Sequence, residues 1–213
     1  MSTRVAVAPG ITLWPERIGA HDQRALIAAI TERLARGPFF KPAMPGTGKP
    51  FSVEMTNFGP LGWVSDQAKG YRYEKFHPVT GEPWPDIPGP LLELWAETTQ
   101  YKAPPEACLV NLYRRAARMG LHRDENEAAM DAPVLSVSLG DSALFRFSGP
   151  AKRTPTRTLK LSSGDVLSFG PPARFIYHGI DRIESGSSGL VPGGGRINLT
   201  LRRVTEPPAG GQK

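Results

Sequence analysis

The chain has 213 residues, 39% of them hydrophobic and 22% charged, with 23 glycines and 22 prolines; this suits one domain with a substantial core, many turns and few long helices, and so a β-rich fold. Cys108 is the single cysteine, which excludes a disulfide framework and a cysteine-built zinc site within one chain. No apolar run reaches membrane-spanning length or forms a signal peptide, so a reducing cytoplasm is the simplest compartment. The balance of 26 basic against 20 acidic residues, net +6, fits a polyanionic partner such as nucleic acid and equally fits an ordinary basic protein.

Residues 1 to about 20 read as extended or irregular. "HDQRALIAAITERLARG" predicts a helix, with Asp22 as its cap, an apolar stripe of Leu26, Ile27, Ile30 and Leu34, and a stop at Gly37. Residues 38 to 90 are rich in proline, glycine and aromatics, with strand-like pieces "FSVEM" and "GYRYEKF". "GPLLELWAETTQ" predicts a second helix over about 90 to 101. From 107 onward the runs "ACLVNLYR", "VLSVSLG", "ALFRF", "RTLKLSS", "DVLSFG", "RFIYHGI" and "RINLTLRR" follow at close spacing, the pattern of a barrel or sandwich. There is no internal repeat, and the tail from 205 to 213 reads as disordered.

Of four histidines, His21 lies at a helix start and His77 in a loop. His122 and Asp124 are two apart, so in an extended segment both side chains point the same way. His178 follows 54 residues after Asp124, far enough for intervening strands to return beside the first. Two histidines and a carboxylate on one face match the facial triad of non-haem Fe(II) oxygenases, which leaves positions open for a chelating cosubstrate and O2. Spacing alone leaves an ordinary structural role equally open.

Downstream, "GRINLTLRR" alternates strictly. Arg196, Asn198, Thr200 and Arg202 fall on one face, with Ile197, Leu199 and Leu201 on the other. Alternation by default puts the apolar face inward and the polar face in water. An iron-chelating 2-oxoacid, however, needs a cation for its distal carboxylate, and arginine offers a matching planar fork. Arg196 and Arg202 lie roughly 20 Å apart along an extended backbone, and inward-leaning tips leave a gap the size of a small dicarboxylate. Asn111 and Tyr113 share one face of their own strand and can add hydrogen bonds.

With these residues in view, the chain resembles the AlkB family of Fe(II)/2-oxoglutarate-dependent dioxygenases, specifically the bacterial nucleic-acid demethylases. The likeness runs from "FSVEMTNFGPLGWV" to "RINLTLRR". It is carried by His122-x-Asp124, "YHG" at His178 and the Arg-x-Asn-x-Thr-x-Arg run, and joined by "CLVNLYR", "APVLSVSLG" and "PWP" at 83–85. The resemblance implies a mainly β fold with flanking helices: a double-stranded β-helix (jelly-roll) core, N-terminal helices and a nucleotide-recognition lid. It implies one catalytic domain over 1–204, with a cover over about 1–45, the lid over 46–90 and the core over 105–204.

By the same resemblance His122, Asp124 and His178 bind Fe(II), and Arg196 and Arg202 hold the two carboxylates of 2-oxoglutarate. Asn111, Tyr113 and Asn198 complete that pocket. Trp63, Tyr71 and Tyr73 form the lid, with a flipped base stacked between Trp63 and His122. Lys69, Arg72, Lys75, Lys152, Arg153 and Arg157 are candidates for the phosphate backbone. The implied reaction is oxidative demethylation of 1-methyladenine or 3-methylcytosine type lesions, with O2 consumed and succinate, CO2 and formaldehyde released. The implied setting is DNA repair by a monomer, with no membrane and with DNA against RNA left open.

Three departures stand out. Asn126, between Glu125 and Glu127, occupies a place often held by an acidic residue near the base's exocyclic amine; its donor and acceptor point to a broader or shifted base preference. Phe169 stands where a tryptophan sometimes packs. "RRAARMG" replaces the usual Pro-Gly before the metal motif and adds positive charge near the entrance. Two alternatives stay open at this point. One is a same-fold oxygenase acting on RNA, a tRNA modification or protein side chains; the other is a nucleic-acid-binding module without metal chemistry.

Overall fold

The computed structural model describes residues 3–149 and 154–208. In chain order the elements are β1 (Val5–Ala8), β2 (Ile11–Trp14), α1 (Ala20–Arg33), β3 (Glu54–Phe58), β4 (Gly62–Asp66), β5 (Gly70–Glu74) and α2 (Gly89–Thr99). Then come β6 (Ala107–Tyr113), β7 (Met119–His122), β8 (Val134–Gly140), β9 (Ser142–Phe147), β10 (Arg157–Leu161), β11 (Val166–Phe169), β12 (His178–Glu184) and β13 (Arg196–Arg202). They make a seven-stranded sheet in the order β1-β2-β11-β8-β13-β6-β3, a four-stranded sheet in the order β10-β9-β12-β7, and the separate hairpin β4-β5.

The centre of the large sheet explains the site. β13 pairs antiparallel with β6 and with β8, placing Arg196 opposite Tyr113, Asn198 opposite Asn111 and Ser138, and Thr200 opposite Ser136. Directly opposed residues share a face, so three strands pool their polar positions on one side. The other side carries Val110, Leu112, Leu135, Val137, Leu139, Ile197, Leu199 and Leu201. It packs against Leu26, Ile27 and Ile30 of α1 and Leu91, Leu94 and Trp95 of α2. Each such large side chain taken from water contributes about 1.5–3 kcal/mol. The inward polar face expected of β13 is therefore what the fold has, with the strand buried on both faces. A second core, with Phe145, Phe147, Leu161, Phe169, Ile176 and Ile180, lies between the two sheets.

Several boundaries differ from the sequence reading. Asp22 does not cap α1: Gly19 holds that position without a side-chain bond, and Asp22 sits in the first turn, where its charge favours the helix dipole. The helix ends at Arg33, and the Gly37 N–H returns to the Arg33 carbonyl. α2 stops at Thr99 because Gln100 is left-handed, at φ 52. β1 and β2, in a stretch read as irregular, extend the large sheet, and β3 sits three residues later than "FSVEM" and forms its other edge. The lid segment is therefore partly sheet. "RFIY" is not strand: β12 begins only at His178, after a turn in which Ala173 N–H bonds the Gly170 carbonyl. Thr205, placed in the tail, is bound through its N–H and hydroxyl to Glu106, while residues 209–213 lie outside the described residues. Among the described residues no helix is long and apolar enough to cross a membrane.

Candidate active site

β7 ends at His122, Asp124 follows two residues on, and β12 opens at His178, the register partner of His122. The close pairing needs Gly179, where a Cβ would lie 2.5 Å from the Met119 carbonyl oxygen and 2.7 Å from that of Gly120. The ligand atoms of His122, Asp124 and His178 all fall within 4.8 Å of one another. Nε2 of His122 is 3.8 Å from Asp124 Oδ1, and Nε2 of His178 is 3.9 Å from Oδ2. These gaps exceed hydrogen-bond range. Each histidine turns Nδ1 toward a backbone carbonyl, of Gly120 at 2.9 Å and of Ile176 at 3.3 Å. Nδ1 then carries the proton and Nε2 presents its lone pair, the arrangement that metal-binding histidines use.

The electrostatics favour the ligand forms. Burial, with help from His122, pushes His178 down to about 3, so its imidazole is neutral. Burial alone would raise Asp124, but Arg202, His178 and His122 outweigh it and hold the carboxyl well below its usual range. Phe169 and Phe145 pack on His178 with ring centroids 4.8 and 5.8 Å away, so Phe169 fills the apolar role expected of it.

Beside the triad lies a cavity of about 300 Å³, lined by the polar face of β13 and by Asn111, Tyr113 and Ser136. Arg196 is fully buried, yet among the described residues the one hydrogen bond of its guanidinium runs from Nη2 to Ser138 Oγ at 2.9 Å. Its Nε and Nη1, and the Oδ1 of Asn111, are buried without a partner. A guanidinium buried with no anion is costly, and burial draws Arg196 down to about 10. Burial pushes Tyr113 up to about 12, so it keeps its phenolic proton. A carboxylate is the group that the two free guanidinium nitrogens and the Tyr113 phenol fit, while the Asn111 Oδ1 calls for a donor. Asn198 is different: its amide already donates to Ser136 Oγ and the Val137 carbonyl and accepts from Thr200. It shapes the cavity more than it offers free atoms. Arg202 is also buried, but its Nε donates to Asp124 Oδ2 at 3.0 Å and its Nη2 lies 2.9 Å from the same oxygen.

Over the cavity mouth stands the hairpin β4-β5. Trp63 stacks on Tyr71 at 5.4 Å, and both line the cavity with His122 and Asn126. Asn57 fixes the backbone of Trp63 with two hydrogen bonds of 3.0 Å, and Trp84 of "PWP" presses on Gly62, where a Cβ would lie 2.3 Å from its ring. Tyr73 does not line the cavity: its hydroxyl turns inward and donates to Glu127.

The chain matches the 2OG-Fe(II) oxygenase superfamily over residues 10–202. It is 54% identical over 200 residues to the alpha-ketoglutarate-dependent dioxygenase AlkB homolog of Caulobacter vibrioides (strain NA1000 / CB15N), covering 94% of this chain and 90% of that protein. It is also similar to the DNA N(6)-methyladenine demethylase ALKBH1C of Arabidopsis thaliana, 29% identical over 92% of this chain and 49% of that protein. A solved structure of OsALKBH1 superposes with a TM-score of 0.79 at 27% identity, covering 94% of this chain and all of that one. The chain belongs to the AlkB family of 2OG-Fe(II) oxygenases. It is a dioxygenase that uses Fe(II), 2-oxoglutarate and O2.

The structure also sorts the other residues of this oxygenase that the sequence had singled out. Arg72 is not free for phosphate: it pairs with Asp66 at 2.7 Å and Glu74 at 2.6 Å. Arg157 lies over the Phe147 ring and reaches the Val7 carbonyl. Lys69 and Lys75 are exposed, while Lys152 and Arg153 lie outside the described residues. His77 is a loop residue but buried, with Nε2 2.8 Å from the Pro38 carbonyl oxygen and Nδ1 accepting from Val79 and Thr80. His21 is exposed beside Asp22.

Three residues escaped sequence reasoning. Asn57 clamps the lid tryptophan. Glu127 and Arg174 form an ion pair of 2.9 Å, each side chain only 2% exposed, directly behind Asp124. The available signals were the third carboxylate after His122 and a lone arginine inside an apolar run.

Proposed function

We propose that His122, Asp124 and His178 hold the Fe(II) of this oxygenase, that Arg196 with Tyr113 and Asn111 takes the distal carboxylate of 2-oxoglutarate, and that the substrate is an N-alkylated base in nucleic acid. The observation that carries the cosubstrate assignment is the fully buried Arg196 with two unpartnered nitrogens beside the triad. Asp124 and the two Nε2 lone pairs supply a hard anion and two neutral nitrogens, a set suited to Fe(II) with three positions open. When bound, Fe(II) with 2-oxoglutarate reduces O2, yielding succinate and CO2 and placing one oxygen atom on the N-methyl carbon.

The chain's own residues orient and exclude. The unpartnered N–H groups of Arg196 and the phenolic proton of Tyr113 fix one end of the dicarboxylate. Arg202, committed to Asp124, is left to steer its other end. Phe145 and Phe169 keep water from His178. Trp63 offers an aromatic face to an extruded base, since a base cannot react within a stacked duplex. Once hydroxylated, the methyl carbon leaves as formaldehyde: the N–C bond breaks, the ring nitrogen keeps the electron pair, and the hydroxyl proton is released. No side chain need act as acid or base on the reacting carbon.

DNA and RNA carrying 1-methyladenine or 3-methylcytosine, single- or double-stranded, are the proposed substrates of a monomer in the cytoplasm. The name of the Arabidopsis relative, a DNA demethylase, supports a nucleic-acid target, as does the net charge of +6. Asn126 at the cavity mouth offers both donor and acceptor to the base edge, which supports a lesion range not confined to bases with an exocyclic amine. The test is mass spectrometry on N-methylated single- and double-stranded DNA and RNA with Fe(II), 2-oxoglutarate and O2. Loss of one methylene mass with matching formaldehyde is expected. Succinate absent on every substrate would overturn the proposal.

A further inference from the structure

Beside Asp124 in the cavity wall lies a buried charged cluster centred on Glu127. Glu127 is buried, accepts hydrogen bonds from two side chains and has a second arginine within ion-pair distance. Arg174, in the turn before β12, donates from Nη2 to Glu127 Oε2 at 2.9 Å. Tyr73, on β5 of the hairpin, donates to Oε1. Arg202 of β13 brings its Nε within 3.6 Å of that same oxygen. The two arginines also grip Asp124. Arg174 Nη1 donates to its backbone carbonyl at 2.6 Å, and Arg202 donates to its carboxylate. Arg174 Nε holds the Ala132 carbonyl at 2.9 Å, which fixes the guanidinium plane. Asp124 is thus oriented at the main chain and at the side chain by two arginines that share one counter-charge.

The hairpin enters this cluster through one atom. Tyr73 is the register partner of Trp63, so the two project from the same face of the hairpin. Trp63 and Tyr71 reach the cavity mouth, and the Tyr73 hydroxyl reaches Glu127. Displacing the hairpin must move or break that hydrogen bond. Losing it leaves more of Glu127's charge to Arg202, which then has less for Asp124 and for an incoming carboxylate.

We propose that Tyr73 and Glu127 are positioning residues that link the seating of a base under the lid to 2-oxoglutarate binding, through Arg202 and Arg174. The proposal rests on the reading that Trp63 and Tyr71 receive the base. It assigns neither residue a contact with substrate or metal. Because linkage between binding sites is reciprocal, seating the base strengthens 2-oxoglutarate binding by the same factor that 2-oxoglutarate strengthens base binding.

The experiment uses the full chain with Mn(II) under nitrogen, so that nothing turns over. 2-Oxoglutarate is titrated calorimetrically alone and then with a saturating short single-stranded DNA carrying one 3-methylcytosine. For the unaltered chain the dissociation constant is expected to tighten by about 5-fold or more, the lower end of typical coupling between sites. In Tyr73→Phe, which keeps the ring and loses the hydroxyl, and in Glu127→Gln, the ratio should fall towards unity while 2-oxoglutarate still binds. A ratio near unity in the unaltered chain, or an undiminished ratio in Tyr73→Phe, overturns the linkage; a merely structural role would lower the melting temperature and leave the ratio alone. Tyr73→Phe decides the matter if Glu127→Gln does not fold. Failure of the oligonucleotide to bind the unaltered chain, measured by fluorescence anisotropy, instead overturns the lid reading beneath it.

Discussion

The two ends of β13 carry the same residue on the same face, six positions apart, and their surroundings are opposite. Among the described residues Arg196 is buried with no ion pair and with two unsatisfied nitrogens. Arg202 is buried between Asp124 and Glu127, and those charges hold its guanidinium above its ordinary range despite burial. One end of the strand has no ion pair among the described residues; the other has two carboxylates. A dicarboxylate laid along the strand therefore meets an arginine with free donors at Arg196 and an arginine already orienting a metal-ligand carboxylate at Arg202. Residue type and alternation alone would have made the two equivalent. Their neighbours leave one with free donors and commit the other to holding Asp124.

The largest expected effect breaks the anchor of that contrast. Asp124→Ala removes the carboxylate that Arg202 grips, and succinate formation should drop below detection; an unchanged rate would sink the metal assignment. Next come paired substitutions at the two arginines, compared in metal-free, ligand-free protein. Arg202→Met leaves the buried Asp124 carboxylate without its guanidinium and should cost about 3–5 kcal/mol in denaturant unfolding, whereas Arg196→Met removes a buried charge that has no ion pair among the described residues and should be neutral or stabilising. Equal losses at both positions would erase the contrast. In the same protein, 2-oxoglutarate with Mn(II) should raise the melting temperature of the unaltered chain by mass action and leave that of Arg196→Met almost unmoved.

The smallest effect is a pH slope on the histidine side of the site. His178 is drawn down to about 3 from 6.5, so between those values the unfolded chain binds a proton that the folded chain does not. Metal-free stability should fall as pH drops from about 6.5 towards 3. His178→Asn should flatten that part of the curve.

Much of the fold and of the metal site was legible because the decisive segments are regular. Period-two alternation on β13 placed four polar side chains on one face, and His122-x-Asp124 put two candidate ligands on one side of an extended run. What stayed hidden was set by long-range pairing. "RFIYHGI" reads as continuous strand, and only the fold shows that its first four residues lie outside β12, with Arg174 in a turn and buried against the Asp124 carbonyl. Glu127 reads as one charge in the run "DENE", although it is buried while Asn126 beside it is exposed. Arg72 reads as a free cation, because its cross-hairpin partner Asp66 is six residues away and set by the register of β4 and β5. Tyr73 reads as a third lid aromatic, and only the depth of the hairpin separates it from Tyr71.

The most direct test of the account is calorimetric titration of 2-oxoglutarate into the Mn(II)-loaded chain under nitrogen, for the unaltered protein and Arg196→Met. One site is expected in the unaltered protein and a dissociation constant weaker by about 100-fold in the variant, which is close to 3 kcal/mol. Equal affinity in the two proteins would contradict the assignment of β13 as the cradle for the cosubstrate.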